Sequence, residues 1–108
     1  MFRDNALRYF QAFACKDVNS LRAMFAPDVS LRDWDICVEG VEAVILANSK
    51  IFNAVETIVV NPVNIFSDGK TVLAELSIIV DHAEPIRVVD ILEFTEDGKM
   101  HAIRAYKD

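Results

Sequence analysis

At 108 residues, with 11 Lys+Arg against 17 Asp+Glu, the chain is the size of one domain and carries a formal charge of −6. That balance repels a phosphate backbone and an anionic membrane surface, so neither nucleic acid nor membrane is an expected partner. Hydrophobic residues at 53% exclude a disordered chain, yet no apolar run approaches the roughly 18 residues of a membrane helix.

One domain is expected over residues 1–108. The scaling of surface with mass buries roughly two-thirds of what the unfolded chain exposes, which supports a core without staples. Cys15 and Cys37 stand far apart, with no CxxC and no nearby His, so two free thiols are expected, with no metal and no cofactor. The opening MFRDNALRYF places charges where an export signal needs its apolar stretch, and the expected location is cytoplasmic.

From Phe2 to Cys15, the apolar positions Phe2, Ala6, Tyr9/Phe10 and Phe13 recur at three- and four-residue steps and predict a helix. Asp17 is placed to cap a second helix that buries Val18, Leu21, Met24 and Phe25 and stops at Pro27-Asp28. Val29–Asp33 reads as a short strand. A third helix after Gly40 puts Val41, Val44, Ile45, Asn48 and Phe52 on one face, where Asn48 is out of character. Strands follow over Val55–Phe66, interrupted at Asn61-Pro62, then Thr71–Val80, Ile86–Phe94 and Met100–Tyr106. Ser67-Asp68-Gly69-Lys70 and Thr95-Glu96-Asp97-Gly98-Lys99 are the hairpin turns between them. Helices first and a meander second is the α+β pattern, with helices on one face of the sheet. Along Thr71–Val80, the stripe Val72, Ala74, Leu76, Ile78 and Val80 is too apolar to leave wet, and is expected to form the outer face buried in a homodimer.

Three polar residues share faces with core residues. By strand parity, Asp90 lies with Val88, Leu92 and Phe94, where an isolated carboxylate is very costly unless paired, hydrogen-bonded or protonated. Asp33 shares parity with Val29 and Leu31. Tyr9 falls on the apolar stripe of the first helix, and its hydroxyl needs a partner if buried. The ordinary alternatives are a core tyrosine, a solvated strand-end aspartate, and an Asp90 paired with Arg87, Arg104 or a backbone donor.

The stretch YFQAFACKDVNSLRAMFAPDVSLRD, from Tyr9 to Asp33, and the closing VVDILEFTEDGKMHAIRAY resemble SnoaL-like proteins of the nuclear-transport-factor-2-like superfamily. The resemblance implies a cone: three N-terminal helices packed on a strongly curved, mostly antiparallel sheet that encloses a pocket. Within the superfamily, the chain is similar to ketosteroid isomerases. There a helix tyrosine and a protonated strand aspartic acid form an oxyanion hole, and a second aspartate moves the proton. Laid alongside, these fall on Tyr9, Asp90 and Asp33. The chain departs at Asn48, where the isomerases carry a further tyrosine, and its loop from Asp33 to Gly40 is shorter.

Three activities follow as expectations. The first is cofactor-independent proton transfer beside a carbonyl, with Asp33 as base and Tyr9 and Asp90 as donors. The second is a non-catalytic ligand-binding or dimerisation module, whose mark would be an Asp90 neutralised by arginine. The third is epoxide hydrolysis, dehydration or cyclisation in the same pocket. The epoxide hydrolases of the superfamily use an Asp–Arg–Asp set, which would require Arg87 or Arg104 to face the pocket. A small hydrophobic ligand is the expected partner, held by Phe13, Phe25, Asn48, Phe52, Leu92, His101 and Ile103. His101 is included because it shares parity with Ile103 and Ala105.

Overall fold

The computed structural model describes residues 1–108 as three helices and six strands. They run α1 (Phe2–Ala14), α2 (Val18–Met24), β1 (Phe25–Arg32), β2 (Cys37–Glu39), α3 (Val41–Ala54), β3 (Ile58–Asp68), β4 (Thr71–Val80), β5 (Ile86–Phe94) and β6 (Met100–Lys107). One sheet of order β2-β1-β6-β5-β4-β3 carries them all. Every neighbouring pair is antiparallel except β1 and β6, which are parallel. Parallel neighbours need a long crossover, and the whole chain from α3 through β5 supplies it.

Local chemistry accounts for the helix ends. Asp17 caps α2 by accepting from the Ser20 N–H at 3.1 Å, and the Ser20 hydroxyl donates back to its carboxylate at 2.7 Å. Lys16, between α1 and α2, sits in the left-handed region at φ 57°. There its ammonium reaches the last turn of α3, donating to the carbonyl of Phe52 at 2.9 Å and to that of Val55. A cation on the orphan carbonyls of a helix C-terminus satisfies them and opposes the dipole. Lys16→Met is therefore expected to cost about 1–2 kcal/mol. Lys50→Met, on the exposed face of the same helix, should cost almost nothing, and equal effects in chemical denaturation would refute the cap.

The second helix and the first strand meet earlier than periodicity predicts. Helix α2 ends at Met24, and Phe25, expected on its stripe, is already extended at φ −93°, ψ 138° and opens β1. The strand passes through Pro27, and a register shift in its pairing with β6 falls between Phe25 and Ser30. At the start of β3, Val55 terminates α3, and the Asp81 carboxylate accepts from the N–H groups of Glu56 and Thr57 at 2.7 and 2.8 Å. Those bonds hold a bend in which no ladder forms, so β3 begins at Ile58 rather than Val55. Pro62 does not break it. Strand β3 is the edge of the sheet, where one side of the chain is unpaired, and the irregularity is a bulge at Val63.

The stripe of β4 faces the other way from its expected orientation. Val72, Ala74 and Leu76 are fully buried within the chain itself, opposite Leu92, Asp90 and Val88 of β5 and under the helices. They belong to the concave face. The outer face of β4 carries Leu73, Glu75, Ser77 and Ile79.

The core fills the narrow end of the cone with Leu21, Val29, Val72, Leu92, Phe94 and Met100. Toward the other end the helices and the sheet diverge, and the space between them is not filled.

Candidate functional site

That divergence leaves a cavity of about 180 Å³ between α1, α3 and the concave face of β4, β5 and β6. Leu76, Ile78 and Val80 of β4, with Ile86 and Val88 of β5, make its apolar wall. Cross-strand pairing explains the set, because Leu76 lies opposite Val88 and Ile78 opposite Ile86. Phe10, Phe13 and Ile51 close it from the helices, and Ile103 and Ala105 from β6. Among the lining residues only Tyr9, Asp33, Asn48 and Asp90, together with the Trp34 indole at the rim, carry polar side-chain atoms. None is Lys, Arg or His.

Tyr9 is placed by α1, whose buried stripe of Ala6, Tyr9, Phe10 and Ala12 turns it inward. Its ring packs among Phe10, Phe13 and Phe25 at centroid distances of 5.6, 6.1 and 6.4 Å. Burial first, then the charges of Asp90 and Asp33, push its hydroxyl well above the usual phenol range, so it stays a proton donor.

Asp90 is placed by the period of β5, on the same face as Val88 and Leu92, and is 8% exposed. Desolvation, reinforced by the charge of Asp33, raises its carboxyl to about 7. No basic side chain relieves it. Arg104 is bound to Glu93, and Arg87 lies 3.7 Å from Asp108. Neither arginine lines the cavity. The arginine-neutralised Asp90 and the Asp–Arg–Asp water-activating set are therefore both absent.

Asp33 follows the last residue of β1, where the chain leaves the sheet at the mouth of the cavity. Its Oδ1 accepts from the N–H groups of Asp35 and Ile36 at 2.8 and 2.7 Å, and its own N–H donates to the Ile36 carbonyl. This turn fixes the carboxylate and leaves Oδ2 without a protein hydrogen bond. Trp34, the only tryptophan, is thereby held on the rim, about half exposed, with the Lys107 ammonium 5.0 Å from its ring centroid.

Of the other expected ligand contacts, Phe13, Asn48 and Ile103 line the cavity, whereas Phe25, Phe52, Leu92 and His101 do not. Phe25 stands behind Tyr9 on β1. Phe52 stacks edge-on against Phe13 at 4.9 Å, so Phe13 presents its ring in its place. Leu92 shares the face of Asp90 but lies in the filled end of the cone. For His101 the parity is broken. Glu93 pairs with Ala102 and Phe94 with Met100, which makes His101 the extra residue of a bulge, and it turns to a surface depression beside Asp28, Lys70 and Glu93.

Sequence reasoning missed most of the apolar wall and Trp34. The parity that singles out Asp90, carried across the ladder, finds Leu76, Ile78, Ile86 and Val88. Nothing in the sequence marks the mouth.

The cavity thus holds two hydrogen-bond donors in its apolar interior, the Tyr9 hydroxyl and protonated Asp90, and a carboxylate oxygen at its mouth, Asp33 Oδ2, that no protein group occupies.

The family model described as a SnoaL-like domain matches residues 6–103. No curated protein matches the chain in sequence. An NTF2-like protein of unknown function from Cytophaga hutchinsonii superposes with a TM-score of 0.84 at 15% identity, covering 100% of this chain and 90% of the other. For a candidate ketosteroid isomerase from Kribbella flavida the values are 0.82, 16%, 99% and 77%. For an LEH-like epoxide hydrolase from M. tuberculosis they are 0.82, 19%, 97% and 80%. At these identities the likeness is one of fold.

Proposed function

This chain belongs to the SnoaL-like domain family, and from that premise we propose that its cavity binds a neutral, hydrophobic carbonyl compound and moves a proton on the carbon beside the carbonyl. The ligand oxygen sits between the Tyr9 hydroxyl and the Asp90 carboxyl. Asp33 removes the α-proton, the enolate oxygen gathers charge against the two donors, and Asp33 returns the proton to the same or a conjugated carbon. Donors already oriented in a dry cavity stabilise that charge without reorganisation.

The observation that carries this reading is the buried Asp90, which no cation approaches and which stands beside a second donor and within reach of Asp33's charge. A hydrolytic reading in the manner of the epoxide hydrolases lacks its arginine.

The test is α-hydrogen exchange. A bicyclic enone incubated with the wild-type protein in D₂O should take up deuterium at its acidic carbons faster than in buffer, read by proton NMR. Exchange at the buffer rate would leave ligand binding without catalysis.

The outer face of the sheet fits a second copy of the chain. Phe66 pairs with Leu73, and Leu73 with Ile91, which makes an apolar row across β3, β4 and β5. Val89 and Tyr106 pair beside it, and Phe66, Leu73, Val89 and Tyr106 are exposed. Glu75, opposite Val89, and Arg104, opposite Ile91, interrupt the row, and exposed apolar residues gathered on one sheet face among such charges suit an interface. Light scattering at micromolar concentration should give twice the 12.1 kDa chain mass, and Leu73→Glu should return the monomer. A 12.1 kDa particle for the wild type would exclude the dimer.

A further inference from the structure

Asn48 is the chain's one anomaly of hydrogen bonding. It lies on α3 between Val44, Ile45 and Phe52, is 2% exposed, and lines the cavity. Its Nδ2 is the only side-chain polar atom wholly removed from solvent that has no hydrogen-bond partner. Buried amide groups are almost always paired, because an unpaired one forfeits its hydration with nothing in return. A leucine of similar size would suit this stripe better, so the amide serves no packing purpose.

We propose that Asn48 is a specificity-determining residue that donates from Nδ2 to a second oxygen of the ligand, so that the cavity selects neutral compounds with two acceptor oxygens, a dicarbonyl or a hydroxyketone, on an apolar frame. This rests on the reading above, in which Tyr9 and Asp90 hold the first oxygen. The remaining lining residues fix the rest of the class. No Lys, Arg or His faces the cavity and Asp33 does, so a carboxylate or phosphate on the ligand would have no counter-charge and one opposing charge. The second oxygen is therefore uncharged. A site built to bond a polar group discriminates strongly against the analogue that lacks it, because the site's own donor is then left unpaired.

The test uses two probes of one skeleton: a methyl-substituted bicyclic enone, and the enedione with a second ring carbonyl. Binding is followed by the fluorescence of Trp34 at the cavity rim. The wild type should bind the enedione at least tenfold more tightly than the enone. Asn48→Leu should lose the preference and bind the two probes with comparable affinity. In the wild type, ¹⁵N spectra should show the Asn48 side-chain amide moving with the enedione and not with the enone, a readout that does not depend on any variant folding. An equal preference in Asn48→Leu, an unmoved amide, or no binding of either probe would overturn the proposal. Deuterium exchange into the enone separates the two readings. If exchange stays at the buffer rate while Asn48→Leu abolishes the preference, the proton-transfer reading fails and the recognition role stands.

Discussion

Replacing Asp33 by Asn is expected to slow the proposed proton transfer by roughly 10²- to 10⁴-fold and to leave folding and KM nearly unchanged. The structure makes this substitution unusually clean. Oδ1 of Asp33 is occupied by the N–H groups of Asp35 and Ile36, and the amide oxygen of Asn can accept both bonds in the same geometry, without the added strength of a charged acceptor. The loop that carries Trp34 is therefore retained, while the free Oδ2 becomes an NH₂ that takes no proton. Asp33→Ala would lose the loop along with the base and could not separate the two. A linked effect is expected inside the cavity. The charge of Asp33 helps to raise Asp90, so Asp33→Asn should lower the Asp90 carboxyl in a ¹³C titration. Activity within threefold of the wild type would remove Asp33 from the base role.

The helices and the turns were legible because each is decided by local chemistry. Asp17 caps α2 as its position before Val18, Leu21 and Met24 predicts, and the two glycine-containing turns separate β3 from β4 and β5 from β6. What escaped was set by contacts remote in sequence. Phe25 enters a strand because the sheet offers β6 beside it, an override of helical periodicity by tertiary pairing. The three residues of β2 form a strand only because Ser30, Leu31 and Arg32 lie opposite.

Parity found Asp90 but misread His101, since a single extra residue in β6 inverts the face of all that precedes it. The same kind of ambiguity put the stripe of β4 on the wrong side. Both faces of that strand carry large apolar residues, Leu73 and Ile79 on one and Val72, Leu76 and Ile78 on the other, and the complete burial of Val72, Ala74 and Leu76 shows which one meets the helices. Leu92 and Phe52 share a stripe with residues that reach the cavity but do not line it themselves. A stripe gives direction, however, and not depth. How far the helices stand off the sheet at each level decides which members line a cavity and which fill the core.

Asp90 is expected to make both stability and the proposed catalysis depend on pH, and in the same direction. Its carboxyl is raised from 3.8 to about 7 in the folded chain. Between those values the folded protein holds a proton that the unfolded chain has released, so stability falls as pH rises through that window and levels off above it. At 1.36 kcal/mol per unit, the full loss is about 4 kcal/mol. Asp90→Asn, neutral at every pH, should match the wild type near pH 4 and exceed it by an amount of this order near pH 8 in chemical denaturation. In the proposed reaction the same proton is the one Asp90 offers to the ligand oxygen. Accordingly, kcat/KM should fall tenfold per pH unit above about 7 in the wild type, as the donor ionises beside the developing enolate. Asp90→Asn keeps an N–H to donate and should lose this alkaline limb along with part of the rate. Asp90→Ala, with no donor, should lose roughly 10²- to 10³-fold. The stability gain and the rate loss arise from one buried carboxyl, so they must appear together. Parallel pH–stability curves for the wild type and Asp90→Asn, or a ¹³C midpoint for Asp90 near 4, would show that the cavity does not hold this proton and would take the oxyanion site with it.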